Sequence, residues 1–198
     1  MADILVIEFP PNTGGCHLAN LLSLGENVHP PRTFWDPYGY KKFLVSMYNN
    51  HISHNAHFGA AGIIRFFPES HRQNQPFPTV YEDKFNVLNC HALTERSMQF
   101  YNLHKSQKIS LVSSSDWVGF RAQPYGIVNI GANPFPSINN IYNIYNIEIS
   151  KWCSIDGIDE LKSLNDKLNL GLDLDLCNEL HLLWYKKIWD ANHGNIIR

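Results

Sequence analysis

Apolar residues run without a break through Ile4-Leu5-Val6-Ile7, the pattern of a parallel strand, so residues 3–8 are predicted as a buried strand. Beyond a Pro/Gly turn the period changes. Leu18, Leu21 and Leu22 recur at i, i+3 and i+4, which predicts a first helix over residues 15–24. Pro30, Pro31 and Pro37 make residues 26–40 a loop, and residues 39–50 can form a helix with a broad apolar face of Phe43, Val45, Met47 and Tyr48. Residues 51–79 read as mostly loop: Ile63-Ile64-Arg65-Phe66-Phe67 is a short apolar run, but Pro68, Pro76 and Pro78 break the residues after it. Residues 85–90 are a second strand candidate that ends at His91. Residues 94–105 look helical, with Thr94 as a cap. Residues 108–113 are a third strand running out into Ser114, Ser115 and Asp116, near which another helix can start.

The C-terminal part carries the clearest helical periodicity. Asp156 can cap a helix with Ile158, Leu161, Leu164 and Leu168, and Gly171 closes it. Asp173 or Asp175 can start the next, with Leu176, Leu180, Leu183, Trp184 and Ile188 on one side. Before these helices an Asn-Ile-Tyr repeat runs from Asn140 to Ile147. It is too short for a solenoid, and as an uncharged strand it would make an adhesive edge. Strand, helix, strand, helix, strand and then helices predict an α/β fold: three layers, P-loop-like, with a central, mostly parallel sheet and C-terminal helices. Residues 1–198 are expected to form one domain.

The chain is 44% hydrophobic and 13% aromatic, enough for a core, while charged residues make up only 17%. A net charge of −2 argues against broad nucleic-acid binding, which needs a basic surface. No basic segment precedes an apolar one at the N-terminus, where Asp3 and Glu8 intervene, so no secretory signal is expected. No apolar run approaches a membrane span. Cys16, Cys90, Cys153 and Cys177 are scattered, which suggests free thiols in a reducing cytoplasm. Asn and Ile are abundant, as AT-rich coding produces.

The chemistry concentrates where the first strand turns into the first helix, through Pro11-Asn12-Thr13-Gly14-Gly15-Cys16-His17. A turn opening a helix presents unpaired N–H groups and the positive end of the helix dipole, which together favour an anion. The GxxxxGK[ST] pattern is absent. Backbone groups of Thr13 to Cys16 could hold a phosphate, and a protonated His17 could add a donor. The alternative is a tight turn without ligand. His91, at a strand end, suits a proton acceptor, or else a partly buried structural histidine. Ser113 to Ser115 could take a second phosphate, or form a plain polar turn. His51, His54 and His57 are spaced for pairwise chelation on a helix, but no cysteine or carboxylate accompanies them, and an exposed turn with no metal is the expectation. The five tryptophans, Trp35, Trp117, Trp152, Trp184 and Trp189, are expected as core or interface anchors.

Three segments resemble the sulfotransferase family, in the family's order. Pro11 to Leu18 is similar to its phosphosulfate-binding loop, commonly P-K-S-G-T-T-W-L, sharing the proline, the first glycine and the leucine. Asn89-Cys90-His91-Ala92-Leu93 resembles K-T-H-L-P, and Lys108-Ile109-Ser110-Leu111-Val112 resembles the strand before R-N-P-x-D. The leucine-rich C-terminal helices look like those of short phage and marine bacterial members. The resemblance implies 3'-phosphoadenosine 5'-phosphosulfate as cofactor, bound by Asn12, Thr13, Gly14, Gly15, Cys16, His17, Ser113 and Ser114. It implies His91 as base and a hydroxyl or amine acceptor, a small molecule or a glycan. The family's cations are replaced: Asn12 and Asn89 stand for lysines, and Ser113-Ser114-Ser115 for the segment that carries arginine. Each lost charge-assisted contact removes about 1.5–3 kcal/mol. A second expectation is therefore a non-catalytic protein, such as a virion or assembly component, that kept the fold and associates with itself or with other structural proteins. The expected location is the cytoplasm, or a host cytoplasm or virion if the chain is viral.

Overall fold

The computed structural model describes residues 3–9, 14–29, 37–50, 64–66, 80–90, 103–112 and 141–186. Its strands are β1 (Asp3–Glu8), β2 (Ile64–Phe66), β3 (Asn86–Cys90), β4 (Lys105–Val112) and β5 (Ile141–Glu148). They form one parallel sheet in the order β2-β3-β1-β4-β5. The described helices are α1 (Gly15–Leu22), α2 (Pro37–Asn50), α3 (Ile149–Trp152), α4 (Ile158–Leu168) and α5 (Leu174–Trp184). An α/β architecture with a parallel sheet and C-terminal helices is thus present.

The chain starts in the middle of the sheet, and the uninterrupted apolar run explains why. Ile4, Leu5, Val6 and Ile7 are all fully buried. Leu5 and Ile7 join the core built with the helices, while Ile4 and Val6 point the other way and are equally closed to solvent. From β1 the chain reaches the edge strand β2, returns to β3, and resumes on the other side of β1 with β4.

Several boundaries differ from expectation. β2 lies within the stretch read as mostly loop, where β3 supplies its pairing through Ile64↔Leu88 and Phe66↔Cys90. The helix expected up to residue 105 does not reach that far: Leu103 and His104 form a turn, and Lys105 already pairs with Asp3 as the start of β4. Ladder bonds to a central strand override the polar pattern there. α1 stops at Leu22, where the Ser23 hydroxyl and amide both bond the Ala19 carbonyl. α2 begins earlier, at Pro37, a residue suited to a first helical position.

α4 carries the expected buried stripe of Ile158, Leu161, Leu164 and Leu168. Its N-cap is Gly157 rather than Asp156, and Asn169, not Gly171, is the left-handed residue at its C-cap (φ 51°). α5 starts as predicted: Asp173 Oδ1 accepts from the Leu176 amide at 3.1 Å, and Oδ2 pairs with Lys41 Nζ at 2.7 Å. Its buried side is Cys177, Leu180, His181 and Trp184.

The C-terminal helices return to the first ones. The Glu26 and Asn27 amides bond the carbonyls of Gly171 (3.1 Å) and Leu170 (3.0 Å), and Asn27 Nδ2 donates to the Asn169 carbonyl at 2.7 Å. This seam and the Lys41–Asp173 pair press α5 onto α2 and close the space over α1. Every residue of α1 is buried, including the positions outside its leucine face. β5 forms the far edge of the described sheet, with Ile147 buried and Asn143, Ile144 and Asn146 exposed.

Candidate functional site at the glycine turn

Three sequence-predicted segments leave the same edge of the sheet. The glycine turn follows the carboxyl end of β1. Glu8, the last residue of β1, pairs with Cys90 of β3 and with Ser110 of β4. His91 follows Cys90 directly, and Ser113 follows Val112, the last residue of β4. The segments therefore depart from the carboxyl ends of the adjacent strands β3, β1 and β4. Asn12, Thr13, His91, Ser113 and Ser114 themselves lie outside the described residues, as do Ser115 and the His51, His54 and His57 run. So do residues 94–102, the helix proposed near Asp116, and Trp35, Trp117 and Trp189.

The described half of the turn, Gly14 to His17, is packed with aromatic rings. Gly14 is the N-cap of α1 in the left-handed region, φ 76°, ψ 13°, where an L side chain is strained. Its carbonyl accepts from the Leu18 amide at 2.9 Å and from Trp152 Nε1 at 3.2 Å. A Cβ on Gly14 would stand 2.8 Å from Trp152 Nε1 and 2.9 Å from Trp184. A Cβ on Gly15 would enter the Phe9 ring, 2.0 Å from Cγ. Cys16 is 6% exposed and Phe9 3%. No side chain from Gly14 to Cys16 is cationic, so this part of the turn could offer an anionic group backbone alone.

His17 does not stand at the helix start as a charged donor. It is 3% exposed and stacks on Trp184 at 4.4 Å with the planes 9° apart. Both ring nitrogens are engaged: Nδ1 with the Tyr48 hydroxyl at 2.6 Å, and Nε2 with His181 Nδ1 at 3.1 Å. Burial, and then the neighbouring His181, hold its pKa well below the usual histidine value. Burial likewise lowers His181, whose Nε2 lies 2.9 Å from the Ser154 carbonyl, and that bond opposes the shift. Both rings are therefore neutral at pH 7.

The hydrogen-bond directions follow from the last acceptor. A carbonyl only accepts, so His181 carries its proton on Nε2 and accepts at Nδ1. His17 then donates from Nε2 and accepts at Nδ1 from the Tyr48 hydroxyl. Burial pushes Tyr48 well above the usual phenol range, so that hydroxyl keeps its proton. The chain Tyr48→His17→His181→Ser154 joins α2, α1, α5 and the turn after α3. Tyr40, fully buried, adds a longer contact to the Asn20 side-chain oxygen at 3.3 Å.

Sequence reasoning missed Tyr48 and His181 as polar partners. The signal for His181 was its place on the apolar stripe Cys177-Leu180-Trp184, where a histidine is buried and must be satisfied. Trp152 and Trp184 are the core anchors expected of them. Among the described residues, no three His, Cys, Asp or Glu side chains are placed to share a metal ion, and no helix is long and apolar enough to cross a membrane. No protein-family model, curated protein or solved structure matches the chain.

Proposed function

We propose that the chain is a divergent sulfotransferase-like domain that takes 3'-phosphoadenosine 5'-phosphosulfate over the carboxyl ends of β3, β1 and β4. The observation that carries this reading is the common departure of the three family-like segments from adjacent strand ends. The sheet order supports it. The chain builds first from β1 toward the β2 edge and then from β4 toward the β5 edge, so its direction reverses between β1 and β4, and parallel α/β sheets bind ligands at such a reversal. Closure of Ile4 and Val6 on the face opposite the helices supports the three-layer, P-loop-like form.

In this reading His91 accepts the proton of a hydroxyl or amine acceptor as that oxygen or nitrogen attacks sulfur. The sulfur–oxygen bond to the phosphate breaks, and 3'-phosphoadenosine 5'-phosphate leaves. The turn contributes amides and no cation, so affinity is expected to be weaker than in members with the lysine.

A second reading, a non-catalytic interaction protein on the same fold, is favoured by one observation: aromatic rings fill the described half of the turn, and His17 is neutral. Thermal shift and calorimetry with 3'-phosphoadenosine 5'-phosphate separate the two. At a hundred times Kd, binding adds about 2.7 kcal/mol of stability. That is about 5–10 °C in Tm for a chain of this size. His91→Ala should then abolish sulfuryl transfer and leave nucleotide binding within about twofold. No shift at millimolar nucleotide sinks the enzyme reading and leaves the second.

A further inference from the structure

The buried polar chain does more than fill the core. Its members come from four places: His17 from α1, Tyr48 from α2, His181 from α5, and the Ser154 carbonyl from the turn over residues 153–157. Three consecutive hydrogen bonds, each with one allowed direction, tie the C-terminal helices to the first two. Trp184 and Trp152 close the assembly, lying 4.4 and 5.3 Å from the His17 ring centroid.

An added proton has no good place in this arrangement. On His181 it would sit at Nδ1, facing the His17 Nε2–H at 3.1 Å, and that bond is lost. On His17 it would sit at Nδ1 against the Tyr48 oxygen, and the hydroxyl would have to turn its proton elsewhere. Among the described residues, the groups facing the pair are neutral. From α2 comes Tyr48, whose hydroxyl is also met by Asn20 and lies near Cys16 of α1 and Cys177 of α5, and from α3 comes Trp152. From α5 comes Trp184. Of the carboxylates of the surrounding elements, Asp156, Asp159, Asp173, Asp175 and Glu179 are exposed and Glu148 and Glu160 half-buried; Lys151 is exposed, and Lys41 pairs with Asp173. Among the described residues none of these carboxylates acts on His17 or His181, so a buried imidazolium there has no counter-charge among them.

We propose that the Tyr48–His17–His181–Ser154 chain is an acid-sensitive latch: it holds α5 and the 153–157 turn on α1 and α2 while both imidazoles are neutral, and releases them when protons enter the pair. The sign follows from the closed state binding protons less readily than the open one. In the open state the rings titrate near ~6.5, so the latch is fully closed above that pH and weakens below it. The opening equilibrium rises up to about tenfold per pH unit for each proton taken up, or about a hundredfold for two. The device is independent of what the glycine turn binds.

Hydrogen exchange read by mass spectrometry on the whole chain between pH 7.5 and 5.0, corrected for intrinsic exchange, tests it. Peptides covering α5 and residues 152–157 should lose protection steeply below about pH 6.5 while β1 stays protected. His181→Gln keeps a donor and an acceptor but removes one titrating ring, and should cut the steepness from about a hundredfold to about tenfold per pH unit. A second readout needs no variant. Nitrogen-15 spectra of the histidine rings should show His17 and His181 as neutral Nε2–H tautomers that do not titrate until the helices open. Uniform loss of protection across sheet and helices would overturn the latch, as would either ring titrating near its ordinary value with α5 still protected.

Discussion

Replacing Gly15 by alanine tests the packing of the turn directly. The new methyl carbon would lie 2.0, 2.2 and 2.3 Å from Phe9 Cγ, Cδ1 and Cδ2. Carbon atoms in contact sit about 3.5–4.0 Å apart, so the ring must retreat by roughly 1.5 Å. It is 3% exposed and stands in a packed core, so it has little room. Overpacking of this kind costs about 1–3 kcal/mol. The smaller freedom of alanine in the unfolded chain offsets about 0.4–1 of that. The expected net loss is about 0–2.6 kcal/mol, a Tm fall of up to roughly 10 °C at this chain length. Urea unfolding followed by tryptophan fluorescence measures it. The decisive comparison is with Phe9→Ala, which alone should cost about 3–5 kcal/mol. With the ring gone, the Gly15→Ala step should become neutral or favourable by up to ~1 kcal/mol. The coupling between the two sites is then the overpacking cost itself, roughly 1–3 kcal/mol, above the ~0.5 kcal/mol scatter of independent sites. An equal cost of Gly15→Ala in both backgrounds would refute the contact.

Asp173→Ala removes the α5 cap and the partner of Lys41, and should cost about 1–2 kcal/mol in urea unfolding, against under about 1 for Lys41→Ala. The Lys41 bond, then the Leu176 amide, hold the Asp173 carboxyl below its usual range; its contribution is present above an ordinary carboxylate pKa near ~3.9 and fades as acid protonates it, so the two proteins should converge in stability toward pH 2. Trp152→Phe loses the bond to the Gly14 carbonyl and leaves a cavity where the rest of the fully buried indole stood, so a loss of about 2–4 kcal/mol is expected in the same assay. Burial pushes the Cys177 thiol up to about 12 and Cys153 higher still. Peptide mapping after iodoacetamide at pH 7.5 should therefore find Cys153 and Cys177 unmodified in the folded protein and modified in urea.

What the sequence disclosed was what depends on near neighbours. Ile4 to Ile7 announce a strand closed on both sides by their unbroken apolar run. Asp173 announces a helix start because its side chain bonds an amide three residues on. β2 could not be read, because three residues have no periodicity and its pairing comes from β3. Lys105 looked like a helix end, and the strand was read only from Lys108, because nothing local reveals that β1 waits alongside. The site divides in the same way. The positions of Gly14 and Gly15 at the strand-to-helix turn were legible. The inward turn of His17 was not, since its partners Tyr48 and His181 lie 31 and 164 residues away.

That last separation bears on how the chain is made. α1 has no solvent-facing side, and the residues that cover it from above belong to segments synthesised long after it. A nascent chain thus carries a first helix with no lid until Trp184 has been added. Pairings so distant along the backbone close slowly and leave sticky surface in the open meanwhile. Truncation before α5 should therefore yield aggregates rather than a smaller soluble protein.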